Sequence, residues 1–371
     1  MDSNAVPGLP VEELDTPVLL VDLTRMEGNI ARWQRLADDA GVRLRVHVKT
    51  HKVPAIARLQ LDAGACGIVC AKVSEAEVFV DAGCDDVVVA YPVFGARKWE
   101  RLAALARRAR VGVNADSAEA IDGIGAAAEK AGATVEVYVD VDTGMHRGGV
   151  DQGALDELSR LCAAVEAAPA LVLAGVTTHR QLAFDGGGAL APGDAGRDEG
   201  ESLVAVAEAL RGAGHVIRVV AAGGSVSGRG VAGVPGVTEL RAGTYVFGDL
   251  MQHGHGVAEI DELALTALCT VVSTTRPGGA TVDGGVKTFS ADHVAADGTS
   301  ARALDRDVVL ERLSEEHGMA RVDGGAVRLG EKIRFVPMHA CTAVNLSDEL
   351  VGIRGGVVEV VWPVLARGKR T

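Results

Sequence analysis

The chain has 371 residues, more than one compact domain usually holds, and its 48% hydrophobic and 23% charged content is that of a soluble globular protein. A formal net charge of −13 excludes the basic face that nucleic acid or an anionic lipid surface requires, so a small-molecule partner is expected, with neither nucleic acid nor membrane. No apolar run of about 20 residues occurs, and MDSNAVPGLPVEELDTP has neither a basic start nor an apolar core, so a cytoplasmic protein is expected. Of the six cysteines, at 66, 70, 84, 162, 269 and 341, five lie in apolar stretches and read as buried thiols; Cys341 has a different setting.

The first element is strand-like, TPVLLVDL (16–23), and a long helix follows over 24–41. From there β-branched runs alternate with Ala/Leu/Glu/Arg runs of helical period. The strand candidates are RLRVHVKTH (43–51), GIVCAKV (67–73), DVVVAYPV (86–93), RVGVNAD (110–116), VEVYVDVDTG (135–144), LVLAGVTTH (171–179), VIRVVAAGG (216–224) and TELRAGTYVF (238–247). Amphipathic helices such as 117–133 and 199–214 separate them, and the run 183–198, AFDGGGALAPGDAGRD, reads as a loop. Eight such βα units predict a closed (β/α)₈ TIM-like barrel. An open doubly wound sheet is disfavoured because no G-x-G-x-x-G follows the first strand.

Beyond 255 the texture changes to short strands cut by Gly and Pro, as in GATVDGG and GGVVEVVWPVLARG, which predicts an antiparallel β domain. A barrel with eight strands has no edge for a ninth, so 16–23 is expected to join that sheet. The domain expectation is therefore 24–255 for the barrel, and 1–23 with 256–371 for the β domain.

Barrel enzymes build their sites at the C-terminal ends of the strands. There lie His47, Lys49 and His51, then Lys72, then Asp142, His146 and Arg147. Thr178 and His179 follow, then Gly223, Gly224 and Ser225, and finally Arg241, Gly243, Thr244 and Tyr245. Strand residues alternate sides, so His47, Lys49 and His51 share one face while Val46, Val48 and Thr50 take the other, and Lys52 points away into solvent.

The succession HVKTHK, VDVDTGMHRGG, AAGGS and ELRAGTYVF, with PMHACTAVNL near the end, resembles the D-serine dehydratase and D-threonine aldolase family, pyridoxal-phosphate enzymes of the alanine racemase-like barrel fold (fold type III). The resemblance runs from DTPVLLVDL at 15 to residue 346. It implies that Lys49 forms the Schiff base with the cofactor, its amine partly deprotonated beside other cations. The cofactor's phosphate, close to doubly charged, suits backbone N–H groups in Gly-rich turns, so Gly224, Ser225, Gly243 and Thr244 are its candidates, with Tyr245 near the ring or phosphate. Arg147 is implied at the phenolic oxygen and Arg241 at the pyridine nitrogen, while His179 packs over the ring or orients another group. His339 and Cys341 form an H-x-C pair. On an extended segment both side chains reach one metal ion, and a soft thiolate beside an imidazole favours zinc over manganese or magnesium. Asp283 and Lys287 in VDGGVKTFS are candidates for supporting that arm.

The resemblance implies a lyase for D-configured β-hydroxy-α-amino acids, and H-x-C favours dehydration of a D-serine or D-3-hydroxyaspartate type substrate to a keto acid and ammonia. Retro-aldol cleavage to glycine and an aldehyde is the alternative. A non-catalytic cofactor carrier is the alternative from another class, opposed by the β domain. A racemase needs a second base, typically tyrosine, from that domain, whereas Tyr91, Tyr138 and Tyr245 all lie in the barrel region. A homodimer is expected.

Overall fold

The computed structural model describes residues 4–180, 190–323 and 325–371; Gln181 and residues 183–189 of the expected loop lie outside them. The chain forms two compact units. One comprises Trp33–Lys49, Ile56–Gly243 and Lys369–Thr371, the other Met1–Arg32, Thr50–Ala55 and Thr244–Gly368. Among the described residues no helix is long and apolar enough to cross a membrane.

The first unit is an eight-stranded parallel barrel. Its strands are Arg43–His47, Gly67–Cys70, Asp86–Val89, Arg110–Ala115, Val135–Asp142, Leu171–Thr177, Val219–Ala222 and Glu239–Leu240. Glu239 pairs with Arg43 and Leu240 with Leu44, which closes the ring. Most strands are shorter than the sequence suggested because their polar C-terminal residues turn into loops instead of continuing the ladder. The eighth keeps two residues; Arg241 and Gly243 follow it, and Tyr245 sits in the 3₁₀ turn Thr244–Val246. The first stops at His47, and 48–51 form a turn. The expected alternation of His47, Lys49 and His51 on one face therefore does not hold. Lys52 is a second correction. It adopts φ 55°, is 8% exposed and donates from Nζ to the Ala366 carbonyl at 3.4 Å, so it is not solvated. Residues 192–198 of the expected loop open the helix Pro192–Gly212, with Pro192 in the first turn, where its missing N–H costs nothing.

The barrel interior holds Val88, Tyr138, Ala174, Val219 and Ala221 together with an ionic core. Arg45, 1% exposed, donates from Nε to Glu239 at 3.0 Å and from Nη1 to Asp86 at 2.5 Å. Its side chain fits because residue 67 is glycine: a Cβ there would come within 2.2 Å of Arg45 Nη1 and 2.9 Å of the Asp86 carbonyl. Gly112 serves Tyr138 likewise, a Cβ falling 2.7 Å from Cε2.

The second unit is a nine-stranded sheet centred on Leu265–Ser273. Val18–Asp22 pairs antiparallel with this strand and parallel with Glu349–Arg354, the exception in an otherwise antiparallel sheet. Leu14, Val18, Leu20, Leu268, Val351, Ile353 and Val358 form one core cluster, and Phe289 meets Phe335 edge to face at 6.2 Å.

Candidate functional site

In the barrel unit, the loop after the fifth strand is tied by one carboxylate. Asp142 Oδ1 accepts the N–H groups of Gly144 at 2.9 Å and His146 at 3.0 Å, and Oδ2 meets His146 Nδ1 at 3.0 Å. The turn ends with Arg147 exposed. The end of the sixth strand is pinned to the same region, since Thr178 Oγ1 donates to the Val141 carbonyl at 2.7 Å and meets Thr143 Oγ1 at 3.0 Å. His179 follows. Burial, then the Lys49 and Arg147 cations, push its imidazolium down to about 3. It is a neutral imidazole between two positive groups at physiological pH.

After the seventh strand, Gly223 takes φ 85° and donates to Glu199 Oε1 at 3.1 Å. Glu199 is fully buried and also accepts Arg180 N–H at 3.1 Å. Gly224 donates to Ser227 Oγ at 3.2 Å within its own turn, and Gly243 donates to Ser225 Oγ at 3.3 Å, so one serine hydroxyl joins the two Gly-rich turns. A Cβ on Gly224 would stand 3.2 Å from His179 Cε1. Glycine there leaves room beside the imidazole.

Arg241 is 7% exposed. Its Nε donates to Glu239 Oε1 at 3.2 Å, its Nη1 to Asn114 Oδ1 at 3.2 Å, and its Cζ lies 4.5 Å from the centroid of the Tyr138 ring. Among the described residues, the buried Nη2 has no hydrogen-bond partner. Asp140 is half-buried, and burial with the Asp116 charge pushes its carboxyl up to about 6, against the pull of Arg241, Arg147 and Asn114.

A buried donor lacking an acceptor, cations around a neutral imidazole, and an open cradle at Gly224 together fit an anionic aromatic group with a ring-nitrogen acceptor. The barrel residues therefore fit pyridoxal phosphate. Lys72 is drawn elsewhere, with Nζ 3.1 Å from the Tyr91 ring centroid.

In the sheet unit, PMHACTAVNL is only partly extended. His339 precedes the helix Ala340–Leu346 in an extended conformation, and Cys341 lies in that helix's first turn. The expected i, i+2 argument fails in form because the helix begins between the two residues. They meet nonetheless, the thiol hydrogen-bonded to the imidazole. Thr50 Oγ1 stands 3.3 Å and Thr244 Oγ1 3.6 Å from Cys341 Sγ. Tyr245 is buried beside Thr244 in the chain.

Two residues that sequence reasoning missed complete this cluster. Asp292 Oδ2 lies 2.5 Å from His339 Nδ1, its Oδ1 accepts from Thr342 Oγ1 at 2.8 Å, and the His293 ring centroid is 5.1 Å from that of His339. Donor atoms of Asp292, His293 and His339 lie within 4.8 Å of one another, a spacing a metal ion can bridge. The adjacent acid and imidazole in SADH (290–293) were the available signal. Asp283 and Lys287 lie apart from it: Asp283 accepts from Thr16 Oγ1 at 2.5 Å and Thr270 N–H at 2.8 Å, and Lys287 pairs with exposed Glu316.

Residues 21–251 match the alanine racemase N-terminal domain family, and 264–353 the putative serine dehydratase domain family. A D-threonine aldolase of Arthrobacter sp. is 35% identical over 98% of this chain and 96% of its own. The crystal structure of D-threonine aldolase from Filomicrobium marinum is 36% identical, with TM-score 0.87 over 99% of this chain and 100% of its own. D-threo-3-hydroxyaspartate dehydratase from Delftia sp. HT23 is 32% identical, with TM-score 0.85 over 95% and 98%, and a cysteine-to-alanine mutant of such a dehydratase is known in a metal-free form.

Proposed function

The chain belongs to the pyridoxal-phosphate-dependent D-serine dehydratase and D-threonine aldolase family of alanine racemase-like fold, and from that premise we propose that it is a metal-assisted dehydratase of D-configured β-hydroxy-α-amino acids. The observation that carries the reading is the meeting of His339 and Cys341, with Asp292 Oδ2 2.5 Å from Nδ1 of the histidine. A thiolate and an imidazole held together suit zinc.

Bound pyridoxal phosphate supplies an electron sink for the substrate α-carbon, and a metal ion supplies a Lewis acid for the β-oxygen. Lys49 Nζ would be the attachment point for the cofactor aldehyde and, as a free amine with substrate bound, the base for the α-proton. Arg147, Gly224, Ser225, Gly243, Thr244 and Tyr245 would hold the cofactor's anionic and aromatic parts, and Arg241 would offer its unpaired Nη2 to the ring nitrogen. A guanidinium gives that nitrogen no full proton, so electron withdrawal is damped. His179, held neutral, moves or shares a proton without adding charge. His339 and Cys341 would hold the metal, and Asp292 would fix the imidazole tautomer by accepting from Nδ1.

Retro-aldol cleavage to glycine and an aldehyde is the second reading, favoured by the similarity to D-threonine aldolases. Incubating cofactor- and metal-loaded protein with D-serine, D-threonine and D-3-hydroxyaspartate decides between them. Keto acid with ammonia is the expected product, glycine with an aldehyde is the mark of the alternative, and no turnover of any of the three returns the protein to cofactor carriage.

Cofactor retention has a pH signature. Asp140 is an anion above about 6 and neutral below it, and its neutralisation leaves Arg147 and Arg241 facing the anionic cofactor with less opposing charge. Cofactor release should therefore be slower at pH about 5 than at pH about 7.5. Asp140→Asn should release slowly at both, as measured by loss of the visible band under dilution. Equal pH dependence in the two proteins would remove Asp140 from this role.

A further inference from the structure

Glu239 is 0% exposed inside the barrel. Its two oxygens hydrogen-bond two guanidinium groups, Oε2 accepting from Arg45 Nε at 3.0 Å and Oε1 from Arg241 Nε at 3.2 Å, and Arg43 Nη2 stands 3.6 Å from Oε2. Arg45 is itself shared with Asp86 at 2.5 Å. A single buried carboxylate thus links Arg241 to an ion pair set deep in the barrel.

We propose that Glu239 is a positioning residue for the cofactor ring, holding Arg241 so that its Nη2 is kept for the pyridine nitrogen; this rests on the pyridoxal-phosphate reading above. The geometry accounts for the Arg241 donors one by one. Nε is committed to Glu239 and Nη1 to Asn114, while the Tyr138 ring lies against the guanidinium carbon. A planar group held at two edges and one face keeps little rotational freedom. Among the described residues the remaining donor, Nη2, is buried without a partner. Proteins rarely leave such a donor unsatisfied, and where they do a ligand commonly completes it.

Glu239 is suited to this in charge as well as position. Burial alone would push its carboxyl up, but Arg45 and Arg241 outweigh burial and hold it below the usual carboxylate range. Because its charge is divided among Arg45, Arg241 and Arg43, Arg241 is anchored without being fully neutralised, and it remains a strong donor toward a ring acceptor. Arg45 and Asp86 in turn prevent Glu239 from swinging toward Arg241 and closing bidentately on it, which would consume Nη2.

The test is a double-mutant cycle on the holoenzyme with Glu239→Gln and Arg241→Gln, reading the position of the cofactor's visible band and the cofactor dissociation constant. Each single variant should shift the band and weaken cofactor binding by about tenfold, and Glu239→Gln should add little once Arg241 is gone, because coupled residues are not additive. Full additivity would make Glu239 a stability residue only and overturn the proposal, as would an unchanged band and affinity in either single variant. If the Gln variant does not fold, Glu239→Asp, which keeps the charge but withdraws the oxygens by one methylene, completes the same cycle. Failure of the native protein to form a visible band with pyridoxal phosphate would instead strike the underlying functional reading.

Discussion

Lys49→Ala is expected to abolish the visible absorption band of the bound cofactor and to lower turnover by about three orders of magnitude or more. Lys49 lies two residues past the end of the first barrel strand, half-buried, close enough to His179 to bias its titration. An amine at the rim of the barrel, beside His179, is placed to meet a cofactor aldehyde. The adjacent lysines are committed elsewhere, Lys52 to the Ala366 carbonyl and Lys72 to the face of Tyr91. The measurement is an absorption spectrum with borohydride trapping and peptide mapping. A trapped adduct that persists in the variant at Lys52 or Lys72 would contradict the assignment.

The barrel was legible because eight β-branched runs at regular spacing have few other ways to bury both faces, and the rule placing sites at strand ends then gathered the cofactor candidates without structural information. Strand lengths were not legible. RLRVHVKTH looks like nine strand residues by composition, yet five are in the strand, since ladder pairing ends where the barrel rim begins and tertiary context overrides propensity. Lys52 was misread for the same reason, its burial being set by Ala366, more than 300 residues away in the chain. Asp292 and His293 escaped notice because the motif logic stopped at H-x-C, whereas the carboxylate that orients His339 comes from a separate loop 47 residues earlier. Glu239 was hidden differently. A glutamate in a strand reads as an exposed position, and only the closed barrel shows that it lies between two arginines.

Cys341→Asp should lower the ratio of keto acid to glycine formed from one β-hydroxy substrate, with native and variant proteins each saturated with metal. The substitution replaces a soft thiolate by a hard carboxylate in the first turn of the helix Ala340–Leu346, beside His339. Zinc affinity should fall by about 10- to 100-fold while manganese or magnesium is tolerated better. Loss of the β-hydroxyl needs a strong Lewis acid on that oxygen, whereas retro-aldol cleavage needs only its proton removed, so the second reaction should survive the exchange better. His339 is expected to keep its orientation in the variant, because Asp292 Oδ2 holds its Nδ1 at 2.5 Å, so a fall in total metal occupancy can be separated from a change in product by elemental analysis of the same samples. Thr50 and Thr244, whose hydroxyls lie 3.3 and 3.6 Å from the sulfur, supply donors that a carboxylate accepts, which favours a folded variant. An unchanged product ratio in fully loaded protein would mean that the metal ligand does not choose which bond breaks. The choice would then rest with the residues around Thr178 and His179, where a change in substrate preference is the quantity to measure.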